Sequence, residues 1–131
     1  MAYNVLIVDD SSVTREIMAR SCILSGMEIA RIYRAANGRE ALDVLSTSSA
    51  DIIFADINMP VMDGLQLVAE LSKREDCRHS QIVIVSTEGS KPRIEELRNL
   101  GVRGYIRKPF TPEQVSEVMH QLLEAEHGNG S

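Results

Sequence analysis

The 131-residue sequence lacks the features that would indicate a membrane, a nucleic acid or a disulfide framework. No apolar run approaches the roughly 18 residues that a membrane span needs, and the first strand pattern begins almost at Met1, leaving no room for a signal peptide. The net charge of −5 provides no basic stripe for nucleic acid phosphates. Cys22 and Cys77 lie far apart without metal-ligand spacing. We therefore expect free thiols and a cytoplasmic protein that binds neither membranes nor nucleic acid.

The composition is that of one globular domain. Hydrophobic residues make up 44% of the chain and charged residues 25%. A chain of this size buries roughly two-thirds of its unfolded surface. Since the sequence has no internal repeat or linker, we expect a single domain over residues 1–126 and a disordered tail over residues 127–131.

Short apolar segments alternate with helical patterns along this domain. The predicted strands are Asn4–Asp9, Ile29–Ala35, Asp51–Asp56, Gln81–Ser86 and Gly104–Arg107. The first, third and fourth are almost continuous Val, Ile, Leu and Phe, which favours a parallel sheet covered on both faces. Strict alternation of strand and helix predicts a doubly wound α/β fold with right-handed crossovers.

Five helices are predicted between and after these strands. The first four are Ser12–Ser25, Arg39–Ser46, Gly64–Lys73 and Lys91–Leu100. Gly26 and Gly101 are natural helix stops. The fifth helix has Thr111 as N-cap, Pro112 at its first position and Gln114 to complete a capping box. It carries an apolar stripe, interpreted as core packing, of Val115, Val118, Met119, Leu122 and Leu123.

Polar residues gather where the predicted strands end. Asp9 and Asp10 close the first strand and Asp56 closes the third, while Ser86 and Lys108 come at the ends of the fourth and fifth. Open parallel sheets bind ligands beyond these carboxyl ends. One aspartate alone could simply cap the next helix. All five residues together predict a phosphoryl-transfer site, in which carboxylates bind a hard cation such as Mg²⁺ and the lysine receives an anion.

The motifs at these positions resemble those of bacterial response-regulator receiver domains, most of all the stand-alone chemotaxis type. They occur in the family's order and are Val8-Asp9-Asp10-Ser11-Ser12, Ala36-Asn37-Gly38-Arg39-Glu40-Ala41-Leu42, Asp56-Ile57-Asn58-Met59-Pro60-Val61-Met62-Asp63-Gly64, Val85-Ser86-Thr87-Glu88 and Gly104-Tyr105-Ile106-Arg107-Lys108-Pro109-Phe110. The resemblance covers residues 4–124. It implies a flavodoxin-like fold with sheet order 2-1-3-4-5. It also implies a single-domain response regulator that is phosphorylated by a sensor histidine kinase or a small phosphodonor.

The resemblance gives the acidic residues their roles. Asp56 matches the nucleophile that forms an aspartyl phosphate. Asp10, Asp56 and the backbone carbonyl of Asn58 match the direct ligands of one Mg²⁺, and Asp9 matches a residue that acts mainly through a metal-bound water. A cation is also a physical requirement, because a dianionic phosphate cannot approach three carboxylates unless their charge is neutralised.

Other residues match the family's phosphoryl-binding and signalling groups. Lys108, which matches the lysine of a cis peptide bond with Pro109, would pair with phosphoryl oxygens. The Ser86 hydroxyl and the Thr87 amide would donate hydrogen bonds to the same group. Ser86 and Tyr105 match the switch pair, in which the hydroxyl moves toward the phosphoryl group and the ring turns inward. A half-buried tyrosine at a sheet edge, with its hydroxyl in water, is the alternative for Tyr105.

The resemblance also locates an output surface on the fourth helix, fifth strand and fifth helix. The residues expected there are Ile94, Arg98, Arg103, Tyr105, Arg107 and Val118. The downstream target would be a protein acted on in trans. We expect a monomer that can dimerise when phosphorylated. A plain solvated surface is the alternative for these residues.

Three residues depart from the family pattern, and two more bear on signal lifetime. Thr87 stands where the family usually has a small residue, Ser11 replaces a common aromatic, and Arg107 replaces a small apolar residue of the motor regulator, which argues against a flagellar motor target. Asn58 and Glu88 stand two residues beyond the phosphoacceptor and the switch hydroxyl. Both are polar and could hold the attacking water, so the resemblance predicts rapid autodephosphorylation.

Competing phosphate-binding classes lack their motifs here. No Gly-x-x-x-x-Gly-Lys or Gly-x-Gly-x-x-Gly follows the first strand. A flavin mononucleotide carrier needs neutral groups in place of the acidic pair. A haloacid dehalogenase needs a second acid where Asn58 stands, so we expect no enzyme acting on external substrates. The remaining alternative is a pseudo-receiver that binds partners without being phosphorylated.

Overall fold

A computed structural model describes residues 2–87 and 89–124 of the chain. Its strands are β1 (Tyr3–Val8), β2 (Ile29–Ala35), β3 (Ile52–Ala55), β4 (Gln81–Ser86) and β5 (Val102–Arg107). Its α-helices are α1 (Ser12–Ile23), α2 (Gly38–Thr47), α3 (Gly64–Ser72), α4 (Lys91–Asn99) and α5 (Pro112–Met119). The α/β prediction is confirmed. A short 3₁₀ helix, Glu75–Cys77, and a π-helical turn that continues α5, His120–Glu124, were not predicted. The predicted tail, residues 127–131, lies outside the described residues.

All five strands are parallel and follow the order β2-β1-β3-β4-β5, as the resemblance implied. β1 lies between β2 and β3 in the sheet, and Val8 pairs with Ala35 of β2 on one side and Ala55 of β3 on the other. The backbone N–H of Asp56 donates to the carbonyl of Val8 at 3.0 Å. This pairing places the residues that follow β1 and β3 side by side at the carboxyl edge of the sheet.

The core consists of one apolar cluster on each face of the sheet. Successive strand residues point to opposite faces, so Leu6 belongs to the cluster under α2, α3 and α4, whereas Ile7 belongs to the cluster under α1 and α5. Both faces of the central strands are therefore covered, as their continuous apolar sequences predicted. Among the helices described, none combines the length and the hydropathy that crossing a membrane would require.

Side-chain caps set the start of four helices, among them α2, where the Asn37 side-chain oxygen accepts from the Glu40 N–H at 2.9 Å. The Ser11 hydroxyl accepts a hydrogen bond from the Thr14 N–H at 3.2 Å, which caps α1. Reciprocal capping boxes open α3 (Asp63 with Gln66) and α5 (Thr111 with Gln114). The α5 box is the one predicted from the sequence. Such caps stabilise a helix by about 1 kcal/mol each.

Two glycines allow the chain to turn at helix ends. Gly26 follows α1 with φ of +84°, and Gly101 follows α4 with φ of +105°. L-residues with a side chain rarely adopt this left-handed conformation, whereas glycine does so freely. Both glycines were predicted as helix stops, and the structure confirms them.

Candidate functional site

Three carboxylates meet at the carboxyl edge of the sheet. Asp9 and Asp10 follow β1, and Asp56 follows β3. One carboxylate oxygen from each lies within 4.8 Å of the other two. Asp9 and Asp56 are buried, with exposed fractions of 4% and 7%, whereas Asp10 is exposed. The cluster is therefore a concentration of negative charge that opens to solvent on the side of Asp10.

Lys108 supplies a positive charge to the buried pair. Its ammonium nitrogen donates to Oδ2 of Asp9 at 2.7 Å and to Oδ2 of Asp56 at 2.9 Å. The residue follows β5, precedes a cis peptide bond with Pro109, and its backbone N–H donates to the Ser86 carbonyl. Burial lowers the pKa of Lys108, but the hydrogen bonds to Asp9 and Asp56 outweigh it and raise that pKa above its ordinary value. The lysine is thus held as a cation.

Backbone groups fix the orientation of the two buried carboxylates. The Ser11 N–H donates to Oδ1 of Asp9 at 2.9 Å, and the Asn58 N–H donates to Oδ1 of Asp56 at 3.3 Å. The Arg15 guanidinium, one turn into α1, donates to the backbone carbonyl of Asp9 at 2.6 Å. The sequence did not predict this role of Arg15. The only signal for it was a basic residue in the first turns of α1, close in sequence to the acidic pair. Ser11, which stands where the family often has an aromatic residue, caps α1 with its hydroxyl and donates its N–H to Asp9.

The loop after Asp56 packs tightly under the site. The N–H of Gly64 donates to the Ile57 carbonyl at 2.9 Å. A Cβ atom at residue 64 would collide with the backbone carbonyl of Asp56, so only glycine fits there. Three residues earlier, Val61 is 80% exposed and has φ of +68°, a strained conformation for a β-branched residue. The loop is therefore held at a fixed distance from Asp56.

The donor set fits a hard divalent cation. Carboxylate oxygens of Asp9, Asp10 and Asp56 are close enough to share one ion, and Mg²⁺ prefers such oxygen ligands. Lys108 contacts the Oδ2 atoms of Asp9 and Asp56, while their Oδ1 atoms face backbone N–H groups. Asn58, the remaining predicted ligand, is exposed two residues beyond Asp56.

The predicted phosphoryl-binding and switch residues lie along β4 and β5. Ser86 is completely buried at the end of β4, and Thr87 beside it is exposed. Tyr105 is half-buried, and its hydroxyl oxygen is buried. An ideal Cβ on Gly89 would lie 3.8 Å from that oxygen, so Tyr105 borders the loop between β4 and α4. Glu88, predicted to tune dephosphorylation, lies outside the described residues.

A groove separates α4 from β5 on the predicted output surface. It has a volume of about 170 Å³ and is lined by Ile94, Leu97, Arg98, Val102, Arg103, Gly104 and Tyr105. Arg107 lies next to it, with its guanidinium beside Gly89. Val118, also predicted on this surface, does not line the groove and packs against the core cluster under α1 and α5. The structure thus brings four of the predicted output residues together.

Comparisons with known proteins agree with this geometry. Residues 5–120 match the response regulator receiver domain family. The chain is 34% identical over 127 residues to a chemotaxis protein CheY homolog of Campylobacter jejuni, with 96% of each chain covered. It is 32% identical to the chemotaxis protein CheY of Pseudomonas aeruginosa, over 95% of this chain and 98% of that protein. The solved structure of CheY4 from Vibrio cholerae has a TM-score of 0.84 at 31% identity, over 93% of this chain and 99% of CheY4.

Proposed function

Since this chain belongs to the response regulator receiver domain family and is of the CheY-like type, we propose that it is a single-domain response regulator phosphorylated on Asp56. Receiver domains of this type are signalling proteins. The observation that carries the proposal is the Lys108 ammonium, which lies between Asp9 and Asp56 and beside a third carboxylate. This is the arrangement that a phosphoacceptor carboxylate with a counter-charge requires.

The proposed reaction transfers a phosphoryl group from a phosphohistidine of a sensor kinase, or from a small acyl phosphate. An Asp56 carboxylate oxygen attacks phosphorus as the bond between phosphorus and the donor breaks, and the donor leaves with that electron pair. Lys108 exchanges its contact with Asp56 for one with a phosphoryl oxygen. The Ser86 hydroxyl and the Thr87 N–H donate to the remaining oxygens. No substrate other than the phosphodonor and water is acted on.

Asp9, Asp10, Asp56 and the backbone carbonyl of Asn58 would hold one Mg²⁺. When bound, this ion supplies the positive charge that lets an anionic phosphoryl group approach the carboxylates. The Asp10 carboxylate, exposed at the mouth of the cluster, is the first ligand that an entering cation would meet. Asp9 and Asp56 would then share their negative charge between this ion and the Lys108 ammonium.

The signal would be delivered in trans through the surface formed by α4, β5 and α5. Ser86 and Tyr105 border the two ends of the loop between β4 and α4, so a shift of Ser86 toward the phosphoryl group can move that loop and the tyrosine together. We assign the protein to the cytoplasm, in which a histidine kinase domain would meet it and Cys22 and Cys77 would stay reduced.

The test is intact-protein mass spectrometry after incubation with acetyl phosphate. The wild type should gain one phosphoryl group only when Mg²⁺ is added, and Asp56→Asn should gain none. Asp43→Asn, which changes an exposed aspartate of α2, is the matched control and should label as the wild type does. Labelling of Asp56→Asn at the wild-type level would refute the assignment. Absence of any label in the wild type would instead support a pseudo-receiver.

A further inference from the structure

The backbone carbonyl of Asp9 is bound by a side chain, although it lies at the end of a strand. Asp9 as a whole is only 4% exposed, and a carbonyl so little exposed to water needs a donor from the protein. The Asp9 N–H still pairs with the Ala35 carbonyl of β2, but no backbone N–H of the described chain donates to the Asp9 carbonyl. The Arg15 guanidinium donates to it instead, at a nitrogen–oxygen distance of 2.6 Å.

This hydrogen bond acts on Asp10 through a peptide group. The Asp9 carbonyl belongs to the planar peptide that joins Asp9 to Asp10, so its direction sets where the Asp10 side chain starts. The Asp10 carboxylate itself has no hydrogen bond or ion pair within the part of the chain that the structure describes. Its place in the carboxylate cluster therefore depends on the backbone, and Arg15 holds that backbone.

Arg15 is itself held in a defined place. Its side chain is half-buried, and its backbone N–H donates to the Ser11 carbonyl at 3.0 Å. The Ser11 N–H in turn donates to Oδ1 of Asp9 at 2.9 Å. The carbonyl and the carboxylate of Asp9 are thus both bound by residues at the start of α1. The turn that carries Asp10 is therefore tied to this helix at two points.

We propose that Arg15 is a positioning residue of the metal site and that it makes the site selective for Mg²⁺. The proposal rests on the proposed function, since it concerns the ion that would be bound beside Asp56. Mg²⁺ demands nearly octahedral coordination at short distances, whereas Ca²⁺ accepts irregular coordination at longer ones. Asp10, which is fixed only through its backbone, meets the stricter demand only while that backbone is held. Arg15 holds it through a carbonyl and forms no ion pair with the carboxylates of Asp9, Asp10 and Asp56.

The positive charge of Arg15, taken alone, predicts the opposite effect on metal binding. A cation near the cluster repels Mg²⁺ and Ca²⁺ alike, so its removal would tighten the binding of both ions to a similar extent. Loss of a residue that orients a metal ligand instead lowers metal affinity by about 10- to 100-fold. Repulsion by one charge that does not contact the carboxylates is a smaller effect in water and salt. The sign of the change in Mg²⁺ affinity therefore separates the two explanations.

The experiment measures ion binding to the full chain without any phosphodonor. The ¹⁵N amide shifts are followed during titration with Mg²⁺ and, separately, with Ca²⁺. Arg15→Met, which loses both the donor and the charge, should bind Mg²⁺ about tenfold more weakly, but Ca²⁺ less than about threefold more weakly. Arg15→Lys, which can still donate to the carbonyl, should recover part of the Mg²⁺ affinity. Arg20→Met, at an exposed arginine in the last turn of α1, is the control and should bind both ions as the wild type does.

Several results would overturn the proposal. They are Mg²⁺ binding by Arg15→Met as tight as that of the wild type or tighter, an equal loss of affinity for both ions, an equal loss in Arg20→Met, or no Mg²⁺ binding by the wild type. If Arg15→Met does not fold, the two ions are compared on Arg15→Lys. A ratio of Mg²⁺ to Ca²⁺ affinity unchanged from the wild type in that variant would equally contradict the positioning role.

Labelling of Asp56 by acetyl phosphate is measured on the same samples. In Arg15→Met it should need about tenfold more Mg²⁺, yet reach the wild-type rate once Mg²⁺ is saturating. Labelling of the wild type, together with unchanged ion binding in Arg15→Met, refutes the role of Arg15 alone. The expected ion binding without any labelling refutes the proposed phosphorelay function alone.

Discussion

The ammonium nitrogen of Lys108 lies 2.9 Å from Oδ2 of Asp56, a residue 52 positions earlier in the chain. The same nitrogen contacts Asp9, so one cation serves two buried carboxylates. The same two carboxylates belong to the cluster that could hold a divalent ion. Lysine and metal are therefore competitors for the same negative charge.

Removal of the lysine should weaken the fold and strengthen metal binding. Lys108→Ala leaves Asp9 and Asp56 without their cation, which we expect to lower the free energy of unfolding in EDTA by about 1–3 kcal/mol. Because the competing ammonium is gone, Mg²⁺ should bind more tightly and stabilise the variant more than the wild type. Urea unfolding across a Mg²⁺ titration measures both effects. Lys91→Ala, at an exposed lysine of α4, is the control, and weaker Mg²⁺ binding by Lys108→Ala would contradict the competition.

The Ser86 hydroxyl should be needed for signalling and dispensable for phosphorylation. Ser86→Ala should still label on Asp56, but the change of ¹⁵N amide shifts in residues 89–107 on phosphorylation should shrink strongly. The reason is that the methyl group of alanine cannot donate a hydrogen bond to a phosphoryl oxygen. Residue 86 is then not drawn toward the phosphoryl group, and the loop after β4 stays in place. Ser46→Ala, at an exposed serine of α2, should respond as the wild type does. A full shift response in Ser86→Ala would exclude the serine from the switch.

Asn58 and Thr87 should set the lifetime of the aspartyl phosphate. Asn58 is exposed beside Asp56, where a water in line with the P–O bond must pass. We expect Asn58→Arg to slow the decay of phosphate in excess Mg²⁺ several-fold, because the larger side chain shields the phosphoryl group. Decay at the wild-type rate would show that residue 58 does not govern the water. A marked acceleration in Thr87→Ala would mean that the threonine methyl already slows the reaction.

Relief of backbone strain at Val61 should stabilise the protein. Its φ of +68° costs a β-branched residue roughly 1–2 kcal/mol, and the side chain is exposed, so little packing is lost on replacement. Val61→Asn should raise the free energy of unfolding by about 1 kcal/mol, since asparagine tolerates this conformation. Val13→Asn, at a comparably exposed valine in α1, should change stability by less than about 0.5 kcal/mol. Equal effects at both positions would remove the strain explanation.

His120, directly after α5, should bind the segment that follows α1 in a pH-dependent way. One ring nitrogen lies 2.9 Å from the Ser25 carbonyl and the other 2.7 Å from Glu124, so both face acceptors. The Ser25 carbonyl, and then Glu124, raise the pKa of His120 above its ordinary value of 6.5. Its stabilising contribution is therefore complete below about pH 6.5 and is lost as pH rises through the elevated folded-state pKa.

The His120 prediction can be measured by comparing unfolding temperatures across pH. The difference between the wild type and His120→Gln should be largest near pH 6 and smaller near pH 9. An NMR titration of the ring should give a lower pKa in Glu124→Gln than in the wild type. If the difference does not depend on pH and the ring pKa is unchanged in Glu124→Gln, then Ser25 and Glu124 do not stabilise the protonated form of His120.

Much of the fold could be predicted from local sequence signals. Thr111 and Gln114 marked the start of α5, and Gly26 and Gly101 marked the ends of α1 and α4, because capping and left-handed turns depend on a few neighbouring residues. The continuous apolar strands indicated a sheet covered on both faces. The sheet order came from the family resemblance, since pairing of distant strands leaves no local signal.

The contacts within the site could not be predicted in the same way. Lys108 reaches Asp9 across 99 residues, and nothing in the sequence shows that one ammonium binds two carboxylates. Val61 has a residue type that argues against its observed conformation, which occurs at the centre of a tight turn closed by the hydrogen bond from the Met62 N–H to the Pro60 carbonyl. The π-helical turn after α5 was missed because the apolar stripe has the period of a regular helix.

The contact between Gly64 and the Asp56 carbonyl has a genetic consequence. Every single-nucleotide missense change in a glycine codon introduces a residue with a Cβ atom, and that atom has no room at residue 64. No single-nucleotide missense change of this codon should therefore be tolerated, although residue 64 contacts only the backbone of Asp56 and not its carboxylate. In a saturation mutagenesis screen for signalling, residue 64 should be as intolerant as the phosphoacceptor itself. Evolutionary changes in the lifetime of the signal must then occur at exposed residues near the site, such as Asn58 and Thr87.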